Sequence, residues 1–135
     1  MQPSYKHYLK IIRNTCTGHE RPVTIPSEEL TDLARLAEEH CTVPFVLSSF
    51  RGTPFYSSML QRTRSMMLNY YQIDQFTRHT VSLLEDNGID CILLKGISLA
   101  SCYPVPEYRK LGDLDLYISR KSDISKAQKL LESHG

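Results

Sequence analysis

Asp113 and Asp115 flank a single leucine in the run Gly112-Asp113-Leu114-Asp115-Leu116-Tyr117-Ile118. Side chains alternate along an extended chain, so both carboxylates share one face, about 6 to 7 Å apart, while Leu114 and Leu116 point towards a core. Two bare carboxylates so placed repel each other, and a divalent cation between them removes the repulsion. Mg²⁺ is commonly held by one or two carboxylates together with phosphate oxygens. A pair of such ions clamps the attacking and leaving oxygens of a phosphoryl displacement. Asp113 and Asp115 are therefore the candidate metal ligands, for Mg²⁺ or Mn²⁺, and the candidate catalytic residues.

Eighteen residues upstream the chain reads Leu94-Lys95-Gly96-Ile97-Ser98. A strand that feeds a glycine turn into a helix presents free backbone N–H groups, which suit a phosphate. Gly96 lets the backbone approach closely, and Ser98 adds a hydroxyl donor. Lys95 and Arg109 supply positive charge nearby, Arg109 with the planar fork that meets phosphate oxygens in pairs. Arg109 also has a plainer reading, a surface ion pair with Glu107 or Asp113. The chemistry expected is a metal on one strand and a phosphate on the turn beside it.

These residues need a scaffold. Residues 90–94 form a short apolar run between Gly88 and Gly96, read as a buried strand. Residues 96–100 open a short helix that Pro104 and Pro106 stop, and residues 113–118 form a second strand. Ser122 and Asp123 are capping residues for a last helix ending at Gly135, with Ile124, Ala127, Leu130 and Leu131 as its apolar stripe. Ahead of this part, residues 55–86 contain neither Pro nor Gly. Met59, Thr63, Met66, Tyr70, Ile73, Thr77, Val81 and Leu84 recur there at three- and four-residue steps, which predicts one helix of roughly 45 Å. Asn87-Gly88 ends it. The pairs Met66-Met67 and Tyr70-Tyr71 belong to its packing face.

The first third is helical as well. Tyr5, Tyr8, Leu9 and Ile12 predict an amphipathic helix, residues 14–26 a loop, and Ser27 the N-cap of a helix with Leu30, Leu33, Ala34 and Ala37 on one face up to His40. Residues 41–54 are mixed: 43–47 read as a strand or as a helical turn started by Pro44, with the short helix favoured, and 51–54 as a turn. The fold class expected is α+β or α/β: a helical region over 1–86 with one long helix, then an incomplete α/β region over 87–135. That second region holds the first half of an α/β sheet, with a helix following each strand. Two strands are rarely stable alone, so a partner or a segment beyond Gly135 is expected to complete the sheet.

Composition narrows the partners. At 135 residues the chain makes about one domain. Lys and Arg total 16 against 15 Asp and Glu, which leaves no global positive field for nucleic acid or an anionic membrane. Cys16, Cys41, Cys91 and Cys102 show no zinc-ligand spacing and read as free thiols. His7, His19, His40, His79 and His134 are dispersed and suggest no catalytic role. No stretch approaches the ~20 apolar residues that span a bilayer, and the start lacks a signal sequence. A cytoplasmic protein is expected.

Leu94-Lys95-Gly96, Tyr103, Arg109 and Gly112-Asp113-Leu114-Asp115-Leu116 together resemble the uncharacterised nucleotidyltransferase family of the polymerase beta-like superfamily. The resemblance covers residues 94–118. It implies a small mixed sheet with flanking helices and metal-dependent transfer of NMP from an NTP, with ATP the expected donor, to an unidentified hydroxyl acceptor. It also implies metal binding at Asp113 and Asp115, triphosphate binding at Gly96 and Ser98, and a third acidic residue on a later strand, which would lie beyond Gly135. Haloacid dehalogenase phosphotransferases also use Asp-x-Asp, but at the end of a hydrophobic strand, where this chain has Arg109-Lys110-Leu111-Gly112 ahead of the pair. The alternative function is a non-catalytic nucleotide-binding or protein-interaction module with a decayed or truncated site.

Overall fold

From Tyr56 to Asp86 the chain is a single α-helix of 31 residues, as a stretch without Pro or Gly allows. The computed structural model describes residues 3–18 and 23–134. The long helix is α4 in a series α1 (Pro3–Thr17), α2 (Leu30–Glu39), α3 (Val43–Val46), α4 (Tyr56–Asp86), β1 (Cys91–Leu93), α5 (Ile97–Ala100), β2 (Leu116–Ile118) and α6 (Lys121–His134). The class is α+β, mostly helical.

The apolar residues of the first part meet in one cluster. Tyr8 and Ile11 of α1, Leu33, Leu36 and Ala37 of α2, Val43 and Val46 of α3, Phe50 and Met59 are buried together. Of the expected Tyr5, Tyr8, Leu9 and Ile12 stripe, Tyr8 is buried and Tyr5 and Ile12 pack against the cluster, but Leu9 is exposed and Ser4 buried, so the packing face is rotated to run through residues 4, 8 and 11. Polar contacts set this rotation: Tyr8 Oη lies 2.7 Å from Thr42 Oγ1, and His7 Nδ1 lies 2.7 Å from Glu29 Oε2. The helix also runs to Thr17, into the expected loop. Residues 19–22 of that expected loop, His19 among them, lie outside the described residues, as does the expected helix end at Gly135.

Two helix boundaries differ from expectation. Ser27 does not cap α2; it begins a single 3₁₀ turn, Ser27–Glu29, and makes no capping hydrogen bond. Helix α6 begins at Lys121, so Ser122 and Asp123 lie within its first turn. There Asp123 meets Arg120 Nε at 3.1 Å, a carboxylate near a helix start. The expected ending of α4 is present. Gly88 takes φ +69° after α4, and the Gly88 and Ile89 N–H groups donate to Glu85 and Leu84 carbonyls at 2.9 and 3.0 Å, a Schellman ending. At the end of α2 the left-handed position is filled by Cys41, at φ +55°.

Strands β1 and β2 pair antiparallel, Cys91 with Ile118, Ile92 with Tyr117 and Leu93 with Leu116. Cys91, Leu116 and Ile118 turn towards a small second cluster of Leu84, Ile89 and Ala127. The other face is open. Ile92 is 54% exposed and Leu94 49%, so β1 is not the fully buried strand that its apolar run predicts: α4 and α6 cover one face alone. Ile124, placed on the apolar stripe of α6, is likewise exposed.

Candidate active site

Backbone geometry brings the two halves of the expected site together. The ladder is shorter than residues 113–118, and the paired strand starts at Leu116. Asp113 and Asp115 occupy its lead-in, where the Leu94 N–H donates to the Asp115 carbonyl at 3.1 Å. That bond sets the end of β1 beside the aspartates. Gly96 follows at φ +69° and ψ −112°, a conformation that L side chains rarely adopt. A Cβ on Gly96 would stand 3.5 Å from the Asp113 carbonyl oxygen, so the glycine turn packs directly on the Asp-x-Asp segment.

Lys95 is placed between them. Its Nζ lies 2.9 Å from Asp115 Oδ2. Asp115 raises the lysine pKa above its ordinary value, first by direct contact and then by charge, and Asp113 adds to the effect. One ammonium therefore senses both carboxylates. Asp115 Oδ2 is closed off from solvent, and the Lys95 ammonium answers its charge. Asp113 is exposed.

Arg109 is drawn away from the surface. Its Nε donates to the Gly96 carbonyl at 3.1 Å, one terminal nitrogen donates to Tyr103 Oη at 3.1 Å, and its Cζ lies 5.6 Å from the Tyr103 ring centre. Neither Glu107 nor Asp113 is its partner: Glu107 accepts a 2.6 Å hydrogen bond from Tyr71 Oη on α4. This bond holds the Glu107 carboxyl below its ordinary range and lifts the Tyr71 hydroxyl. Behind Tyr103, Phe45 of α3 packs against the Tyr103 and Tyr108 rings, 6.0 and 5.4 Å between centres. Asn69 Nδ2 on α4 donates to the Leu111 carbonyl at 2.8 Å. The loop between the glycine turn and the aspartates is thus pinned from α3 and α4.

Ser98 points elsewhere than expected. Its hydroxyl donates to the carbonyl of Leu94 and lies 3.2 Å from that of Lys95, so its proton is committed to the turn's own backbone. Helix α5 has four residues, too few for an aligned dipole of any weight. What the turn offers a phosphate is backbone N–H and the charge of Lys95.

Lys95, Gly96, Arg109, Asp113 and Asp115 converge, with Ser98 bracing the turn. Tyr71, Asn69 and Phe45 support them from afar, and sequence reasoning gave these residues no such role. Tyr71 was assigned to packing, yet it is 51% exposed and acts through its hydroxyl. Beside Ser98, a cavity of about 380 Å³ is lined by Leu93, Ile97, Ser98, Thr77, Asp74 and Arg78. A larger cleft, about 780 Å³, lies between α1, α3 and Tyr108 and includes none of the six predicted site residues.

The donor set suits a divalent cation that shares phosphate ligands. Two carboxylates are available, one with a sheltered oxygen already facing a cationic group, and water and phosphate oxygens would complete the shell. Among the described residues no group of three or more His, Cys, Asp or Glu could hold a metal alone. No helix among them is long and apolar enough to cross a membrane.

Residues 26–135 match the family described as uncharacterised nucleotidyltransferase. No curated protein and no solved structure matches the chain.

Proposed function

Because this chain belongs to the uncharacterised nucleotidyltransferase family, we propose that it carries the donor site of a metal-dependent nucleotidyltransferase. The reaction moves NMP from an NTP, with ATP the expected donor, to a hydroxyl acceptor. The observation that carries this reading is the juxtaposition of the Gly96 turn, Lys95 and the Asp113-Leu114-Asp115 segment.

In such a transfer the acceptor oxygen bonds to the α-phosphorus as the bond to pyrophosphate breaks, and the hydroxyl proton leaves to a base. The bound metal supplies charge stabilisation at the oxygens around phosphorus. Asp113 and Asp115 would hold that ion through their carboxylates. The Gly96 turn would meet the phosphates with backbone N–H groups, and Lys95 would balance their charge. Arg109 keeps the turn in place through the Gly96 carbonyl; with its guanidinium also engaged by Tyr103, it acts as a positioning residue.

Calorimetric titration with ATP in Mg²⁺ and in EDTA tests the reading. The wild-type chain should bind only with the metal, and Asp113→Asn with Asp115→Asn should weaken that binding at least about tenfold, as removal of the charged ligands of a cation would. Unchanged Mg²⁺-dependent affinity in the double variant would show the assignment wrong. Metal-dependent binding with no transfer to any hydroxyl would favour the non-catalytic nucleotide-binding module.

A further inference from the structure

The Lys95 ammonium already occupies one oxygen of the Asp115 carboxylate. Lys95 Nζ sits 2.9 Å from Asp115 Oδ2, and an Mg²⁺ on that oxygen would stand ~2.1 Å away. An ammonium and a divalent ion on one oxygen atom would be thrust together as like charges. An ion that takes Oδ2 therefore displaces the ammonium from it.

Lys95 is the one free to move. Its side chain is 64% exposed, against 30% for Asp115, and Asp115 is its one ion-pair partner among the described residues. Arg109, the other cation of the site, is held by Gly96 and Tyr103. Arg109 also repels the Lys95 ammonium. A lysine ammonium is a compact charge on a flexible stem with rotatable donors, and an ion pair with one exposed partner is weak. The Leu94–Asp115 backbone bond fixes the base of that stem between the carboxylates and the Gly96 turn, so the same side chain serves either side.

We propose that Lys95 is the resident counter-ion of the carboxylate pair: it holds Asp115 until a divalent cation takes that place, and the released ammonium then turns to the phosphates of the nucleotide. This rests on the reading of Asp113 and Asp115 as the cation site. Lys95 thereby lowers the affinity of the empty site for metal and raises that of the metal-loaded site for nucleotide, so metal and donor arrive as a coupled pair.

Mn²⁺ binding without nucleotide, read from the electron paramagnetic resonance of free Mn²⁺, tests this on the wild type, Lys95→Met, Lys95→Arg and the double Asp→Asn variant. Lys95→Met should bind Mn²⁺ about fivefold more tightly than wild type, the scale of a weak ion pair removed. Lys95→Arg, which keeps the charge, should stay close to wild type, and the double variant should not bind. At saturating Mn²⁺, Lys95→Met should bind ATP more weakly than wild type. Equal Mn²⁺ affinity in Lys95→Met and wild type, with the double variant blank, overturns the counter-ion role and leaves the carboxylates as the cation site. Tighter Mn²⁺ binding with unchanged ATP affinity overturns the transfer of Lys95 to phosphate. Mn²⁺ bound by none of the proteins removes the cation site itself and the proposal with it.

Discussion

A side chain at Gly96 meets two obstacles. The backbone sits at φ +69°, and the Cβ would stand 3.5 Å from the Asp113 carbonyl. The contact is tolerable, whereas the conformation costs a β-branched residue of order 1–3 kcal/mol. Gly96→Val should therefore rotate the turn away from Asp113 and lower Mg·ATP affinity at least about tenfold, since a misplaced amide no longer meets the phosphate. Helical circular dichroism should stay largely intact, because α1 and α2 pack in the large cluster and Met59 anchors α4 there. Retained affinity in titration calorimetry would separate the turn from the donor site. The glycine was legible in the sequence, as was the aspartate pair. The orientation of Ser98 was not: a hydroxyl chooses between solvent and a backbone carbonyl by local geometry, which residue type does not encode.

Helix α4 works beyond its length. Its apolar steps were read from sequence, but its polar links to the 106–111 loop were not, because Tyr71 and Glu107 are 36 positions apart. That hydrogen bond holds the Glu107 pKa below its ordinary 4.5. A carboxyl with a depressed folded-state pKa contributes stability above its unfolded value and loses it as pH falls through the folded value. Tyr71→Phe should thus lower the urea midpoint at pH 7, and the difference from wild type should shrink as pH falls from the ordinary carboxylate value through the depressed one. A difference that is constant across that range would mean that the two residues do not interact in solution. The effect is small, since both groups meet solvent.

Two apolar clusters share α4, Met59 in the large one and Leu84 in the small one. The small cluster backs the strands that carry the site, so its stability sets theirs. Leu84 is fully buried, and Leu84→Ala should cost about 2–5 kcal/mol. Hydrogen exchange followed by mass spectrometry should show Cys91–Leu93 and Leu116–Ile118 losing protection first, with α1 and α2 retaining theirs; equal loss everywhere would mean that both clusters open as one. The long helix, the Gly88 and Gly96 turns, the two short strands and the Asp-x-Asp pair were all legible in the amino-acid order, because each follows from spacing or backbone freedom within a few residues. Tertiary structure alone decided that the strands pair antiparallel with Ile92 and Tyr117 exposed, that Arg109 reaches back 13 residues to Gly96, and that Lys95 sits on Asp115. Those outcomes depend on which distant surfaces pack together, and packing selects among partners that local spacing leaves equally open.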